Sequence, residues 1–145
     1  MPLHLSPYDR RLLHGDAGDG AARGTVLALD EPLSFRGGVD PATGVIVDRR
    51  HPQADASVAG TVLVLPGTRG SASGSGTLAE CLRLGTGPAA IVLPSANRSV
   101  VIGVLVADEL YGRPVPVLVV PGDAHASFRT GEVVTIATGG RITRS

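Results

Sequence analysis

The sequence predicts an α/β domain in which a short parallel β/α part is joined to a β-rich part, and three observations carry that reading. Short, continuous apolar runs at residues 61–65 (TVLVL), 89–93 (AAIVL) and 115–120 (VPVLVV) alternate with helix-compatible segments. Runs of that length read as strands buried on both faces, and strands that alternate with helices are joined in parallel. Aromatic residues are only 3% of the chain and Trp is absent, so aliphatic and β-branched side chains must build the core. Finally, 145 residues with 43% hydrophobic and 18% charged content suit one folded core and not a disordered chain.

The elements follow in order. Residues 1–23 pack Asp9, Arg10, Arg11, Asp16, Asp19 and Arg23 around Gly15, Gly18 and Gly20, and read as an N-terminal extension with a short helix near 8–13. The domain proper then spans 24–145. Val26, Ala28, Leu33 and Phe35 suit a strand broken at Glu31 and Pro32, because proline removes a ladder donor and bends the chain. Asp40–Pro41 and Gly44 mark a turn before a short strand at 45–47. After the strand at 61–65 comes a Gly/Ser loop, then a helix at 77–84 stopped by Gly85. Residues 99–110 (SVVIGVLVADEL) suit either helix or strand, since their β-branched content competes with their length. Gly122, Asp123 and Gly131 bracket a loop, and 132–137 (EVVTIA) read as a strand returning to the β-rich part.

Composition removes several function classes. Thirteen basic and thirteen acidic residues cancel, so the chain lacks the positive field of a nucleic-acid binder. Every basic residue is Arg, which leaves no amine for a Schiff base or a lysine general base. The lone Cys81 can make no internal disulfide and cannot by itself hold a cluster or a structural zinc, which take about four ligands. No apolar run reaches the roughly 18 residues of a membrane span, and the N-terminus has no signal-type core. The expectation is a cytoplasmic protein with no membrane contact and no metal of its own.

The sequence LPGTRGSASGSG, residues 65–76, carries the most chemistry. A loop that leaves a buried strand and enters a helix presents backbone N–H groups at the positive end of the helix dipole. Gly70, Gly74 and Gly76 allow close approach of an anion, Ser71, Ser73 and Ser75 add hydroxyls, and Arg69 adds a fixed charge. The Lys of a Walker loop and the order of a nucleophile elbow are both missing. A carboxylate or a phosphate is the ligand such a loop suits, although Gly/Ser tracts also serve as plain connectors.

A second polar cluster runs from Glu31 through Ser34, Arg36, Asp40, Asp48, Arg49 and Arg50 to His51. Most of it reads as turns and a solvated edge, with His51 a hydrogen-bonded surface or core histidine. His125 reads as a solvated loop histidine, and Cys81 as a buried structural thiol on the helix after the Gly/Ser loop.

The motifs EPLSFRGGVDPATG and RGSASGSG, with GPAAIVL and VADELYGRPVPVL after them, together resemble the small subunit, or swivelling domain, of the aconitase X family over about residues 24–120. The resemblance implies a swivelling β/β/α domain, a β-barrel-like part plus a short parallel β/α part, similar to the mobile fourth domain of aconitase. It implies a heterodimer with an aconitase X large subunit that carries the cysteines of an iron–sulfur cluster. It also implies hydro-lyase activity on a small hydroxy acid, cis-3-hydroxy-L-proline or mevalonate 5-phosphate. The first is favoured because an all-Arg, Ala- and Gly-rich composition suits a GC-rich bacterial source. The family's proton acceptor falls on Ser71, and Arg69, Gly70, Ser73 and Ser75 become substrate-binding. Residues 5–22 faintly resemble the opening of the family's large subunit.

Two other readings stay open at this point. One is a non-catalytic anion-binding or assembly module with the same fold. The other is a phosphohistidine-type swivelling domain with His125 as the carrier.

Overall fold

A computed structural model of the chain describes residues 22–68, 74–120, 122–137 and 141–144. The proposed helix near 8–13 therefore lies outside the described residues. Six strands form one mixed sheet in the order β4-β3-β2-β1-β5-β6. Strands β1 (Ala22–Ala28), β2 (Val62–Val64), β3 (Ala90–Leu93) and β4 (Val117–Val119) are parallel to one another. Strand β5 (Val133–Ile136) lies antiparallel to β1, and β6 (Ile142–Arg144) antiparallel to β5.

The apolar runs become strands because both sheet faces are covered. Leu27, Leu63, Leu65, Ile91, Leu93 and Val117 face one core, with Leu78, Leu82, Val100 and Val104 from the helices packed on that side. Their chain neighbours Val26, Val62, Val64, Val92 and Leu118 face a second core with Phe128, Val134 and Ile136. The alternation places every residue of TVLVL after Thr61 in one core or the other, so Val62 to Leu65 are each at most 2% exposed.

Four helical segments accompany the sheet: α1 (Phe35–Gly38), α2 (Gly74–Leu84), α3 (Arg98–Tyr111) and α4 (Gly122–Ala126). The first is a single irregular turn, broken by extended angles at Arg36 and a left-handed Gly37 (φ +78°). It stands where the sequence suggests the far half of a bent strand, and Pro32 is the reason the strand does not resume. The short strand expected at 45–47 is reduced to isolated bridges from Val45 to Ser57 and from Ile46 to Val39.

Residues 98–111 resolve as a helix. The Asn97 side chain accepts the Val100 N–H at its start, and Gly112 closes it in the left-handed region at φ +61°. Its buried positions Val100, Val104 and Ala107 share one face. The loop expected between Gly122 and Gly131 instead contains α4, and β6 was not anticipated.

Helix α2 starts at Gly74, three residues before the sequence suggests, so that Gly74, Ser75 and Gly76 belong to its first turn. A helix-interior glycine costs about 1 kcal/mol, and at Gly103 of α3 close packing offsets that cost. A Cβ on Gly103 of α3 would stand 2.8 Å from the Ser75 carbonyl oxygen and 3.1 Å from Leu78 Cδ2. Only small residues let the two helices approach this closely.

Candidate active site

The parallel register brings four strand ends to one edge of the sheet. Leu29 N–H donates to Val64 O (2.9 Å), Leu65 N–H to Val92 O (2.9 Å), and Val120 N–H to Leu93 O (2.8 Å). The carboxyl ends of β1 to β4 thus lie side by side, which is where open parallel sheets hold their ligands. The Gly/Ser loop joins β2 to α2 at this edge. Arg69, Gly70, Ser71 and Ser73 lie outside the described residues, whereas the chain on both sides of them is defined.

On the incoming side, Leu33 N–H donates to Gly67 O at 3.3 Å and Leu33 bridges Thr68 in parallel. Asn97 Nδ2 donates to Thr68 Oγ1 at 3.0 Å. His125 reaches across from α4, and its Nε2–H donates to the Leu65 carbonyl at 2.8 Å. On the outgoing side, Ser75 is 7% exposed and its hydroxyl donates to the Ser99 carbonyl at 2.8 Å. Of the residues expected to bind substrate, Ser75 is therefore the one that the structure places, and its proton is committed to α3.

The histidines divide. His51 is 5% exposed, accepts the Gln53 N–H at Nδ1 (3.0 Å) and donates from Nε2 to Glu31 O (3.1 Å). Both ring nitrogens are used, so it ties the 48–55 loop to the strand-end segment as a core histidine, as expected. His125 differs from the expectation of a solvated loop residue, because it is half-buried on α4 and bonded to the end of β2. Neither Asn97 nor Thr68 was singled out from the sequence. An Asn just before a helix in the second β/α unit is the signal that could have found the pair.

Cys81 is fully buried on α2, and burial pushes its thiol above the usual range, with a Thr86 hydrogen bond only partly opposing the shift. A raised thiol in an apolar core is neither a nucleophile nor a ready metal ligand. We expect Ellman's reagent to find no reactive thiol in the native chain and one equivalent after denaturation; rapid native labelling would contradict this placement. Among the described residues, no group of three or more His, Cys, Asp and Glu could hold a metal ion. None of the described helices is long and apolar enough to cross a membrane. These donors do not fit an iron–sulfur cluster.

The helix that follows the loop, α2, is eleven residues long, and its first turn is the positive end of the helix dipole. Residues 13–144 match the aconitase X swivel domain family. The chain is 42% identical over 100 residues to a cis-3-hydroxy-L-proline dehydratase of Hypocrea jecorina, covering 69% of this chain and 17% of that protein. It is 42% identical over 118 residues to the phosphomevalonate dehydratase small subunit of Methanopyrus kandleri, covering 81% of this chain and 83% of that one. The structure of Thermococcus kodakaraensis aconitase X in its holo-form superposes with a TM-score of 0.74 at 29% identity, over 86% of this chain and 90% of that one. The chain thus spans about one-sixth of the hydroxyproline dehydratase and most of the separate small subunit. With its mixed sheet, its strand-end loop and these relatives, the chain belongs to the aconitase X swivel domain family.

Proposed function

We propose that this chain is the small subunit of an iron–sulfur-dependent hydro-lyase that removes water from a small hydroxy acid, with Ser71 as the proton acceptor. The observation that carries the reading is the position of RGSASGSG: it leaves the carboxyl end of a buried parallel strand and runs into the first turn of α2. Arg69 and the loop N–H groups hold the substrate's anionic group, with Gly70 giving the backbone room and Ser73 supplying a hydroxyl, whereas Ser75, expected to bind substrate, spends its proton on the Ser99 carbonyl instead. Ser71 takes a proton from the carbon next to the one that loses hydroxide, so that water is the net loss. A serine hydroxyl is a very weak acid, and its alkoxide needs the N–H groups, the helix start and Arg69 around it.

The cluster that assists departure of the hydroxyl belongs on the large subunit, since the lone Cys81 is buried in the core and no donor group among the described residues fits one. A heterodimer follows, because each half of the site lacks the other's groups. The preferred substrate is cis-3-hydroxy-L-proline. Mevalonate 5-phosphate is the second reading, favoured by the longer match to the phosphomevalonate dehydratase small subunit, 118 residues against 100.

Co-expression with a large subunit decides the matter. The expected result is a stable complex that contains iron and dehydrates one of the two substrates, while the isolated chain is inactive. A chain that binds small carboxylates but joins no iron-bearing partner would be the non-catalytic module.

A further inference from the structure

We propose that Arg36 is a further substrate-binding residue, its guanidinium receiving an oxyanion group of the substrate, carboxylate or phosphate. The inference rests on the dehydratase reading for the substrate and on described contacts for the placement of the residue. The polar cluster between Glu31 and His51 contains three arginines, and two of them are matched within it. Arg49 pairs with Asp55, and Arg50 with Asp48. Arg36 is exposed, and among the described residues its guanidinium has no ion-pair or hydrogen-bond partner. Asp40, the closest acid along the chain, turns its Oδ1 to the Ala42 N–H instead, at 3.0 Å.

The backbone under Arg36 is fixed. Arg36 (φ −72°, ψ 118°) and Gly37 (φ +78°, ψ −12°) have the angles of the two central positions of a type II turn, the second of which calls for glycine. The Ser34 hydroxyl donates to the Arg36 carbonyl at 2.9 Å, and the Val39 N–H to the Phe35 carbonyl at 3.2 Å. Phe35 and Gly38 are buried, which leaves Arg36 and Gly37 as the solvent-facing tip. That tip stands at the strand-end edge. Leu33, three residues before Arg36, donates its N–H to Gly67 O at 3.3 Å and bridges Thr68. Phe35 Cβ lies 4.0 Å from the position that a Cβ would take on Gly74, the first residue of α2. The turn is thus seated against both the chain that leaves β2 and the chain that enters α2, at the edge where open parallel sheets take their ligands. A guanidinium held there without an internal partner can form a bidentate pair with a carboxylate or a phosphate.

In the assembled complex, Arg36→Gln is expected to raise KM about ten-fold with kcat nearly unchanged, the mark of binding lost equally from ground and transition states. Arg36→Lys should recover part of the loss, since it restores the charge without the fork. Arg113→Gln supplies the control: it removes the same charge from an exposed residue ahead of the amino end of β4 and should leave both constants unchanged. Competitive inhibition identifies the group that Arg36 takes. Inorganic phosphate should lose about ten-fold in potency against Arg36→Gln if that group is a phosphate, and acetate should do so if it is a carboxylate. Unchanged KM with unchanged inhibition by both anions would overturn the assignment, as would an equal rise in KM for Arg113→Gln. Weaker association of the subunits with an unchanged KM in the assembled complex would overturn it too, giving Arg36 to a carboxylate of the large subunit. Should the wild-type complex turn over neither substrate, the dehydratase reading fails, and titration of the full chain with inorganic phosphate and acetate decides. A saturable displacement of the Arg36 Nε–H resonance by either anion upholds the site, and an unmoved resonance refutes it.

Discussion

Ser71→Ala in the assembled complex is expected to lower kcat by about three orders of magnitude while KM moves by a factor of about two. The asymmetry follows from where the hydroxyl acts. In the proposed site, backbone N–H groups and Arg69 carry anion binding and the substitution removes none of them, so the substrate is expected still to dock. The chain has no Lys to take over proton removal, and among the described histidines His51 spends both ring nitrogens on Gln53 and Glu31. Melting of the isolated variant should match the parent, which separates loss of the base from loss of the fold. A kcat within ten-fold of wild type, measured by steady-state dehydration on the preferred substrate, would remove Ser71 from the base role.

The parts of the molecule that were legible before the fold share one property: their signal is local. TVLVL and AAIVL are continuous apolar runs because both sheet faces are buried, and such runs suit little but central strands. SVVIGVLV was ambiguous because β-branched propensity and helical periodicity disagree; the Asn97 cap and the left-handed Gly112 settle it as a helix. Strand β6 gave no signal, being a three-residue polar edge strand, ITR, held by other means. Arg144 pairs with Glu132 at 2.8 Å and lies 4.5 Å over the Phe128 ring. The loop was visible from composition, whereas the contact between Asn97 and Thr68 was not, since the two meet only through the parallel register of β2 and β3.

Gly44→Ala is expected to destabilise the fold by roughly 3 kcal/mol, a fall in melting temperature of about 10 °C for a domain of this size. The run GGVDPATG stands beside the loop in the family motif and looks as reactive in composition, yet its described contacts build a joint. The Asp40 carbonyl accepts from Thr43 N–H (3.2 Å) and Gly44 N–H (2.7 Å), and Asp40 Oδ1 accepts from Ala42 N–H at 3.0 Å. Thr86, just beyond α2, donates its hydroxyl to Pro41 O at 2.6 Å. Gly44 sits at φ +79°, where a Cβ would run into the Thr86 carbonyl oxygen and stand 3.2 Å from Ala59 Cβ. Gly37 supplies the control, because it has nearly the same angle, φ +78°, with nothing within 4 Å of a Cβ. Alanine there meets only the left-handed strain, about 1 to 2 kcal/mol. Thermal unfolding of the two variants side by side should show the larger loss at Gly44. Equal losses would mean that backbone angle alone, and not the contact with the end of α2, demands glycine in this motif.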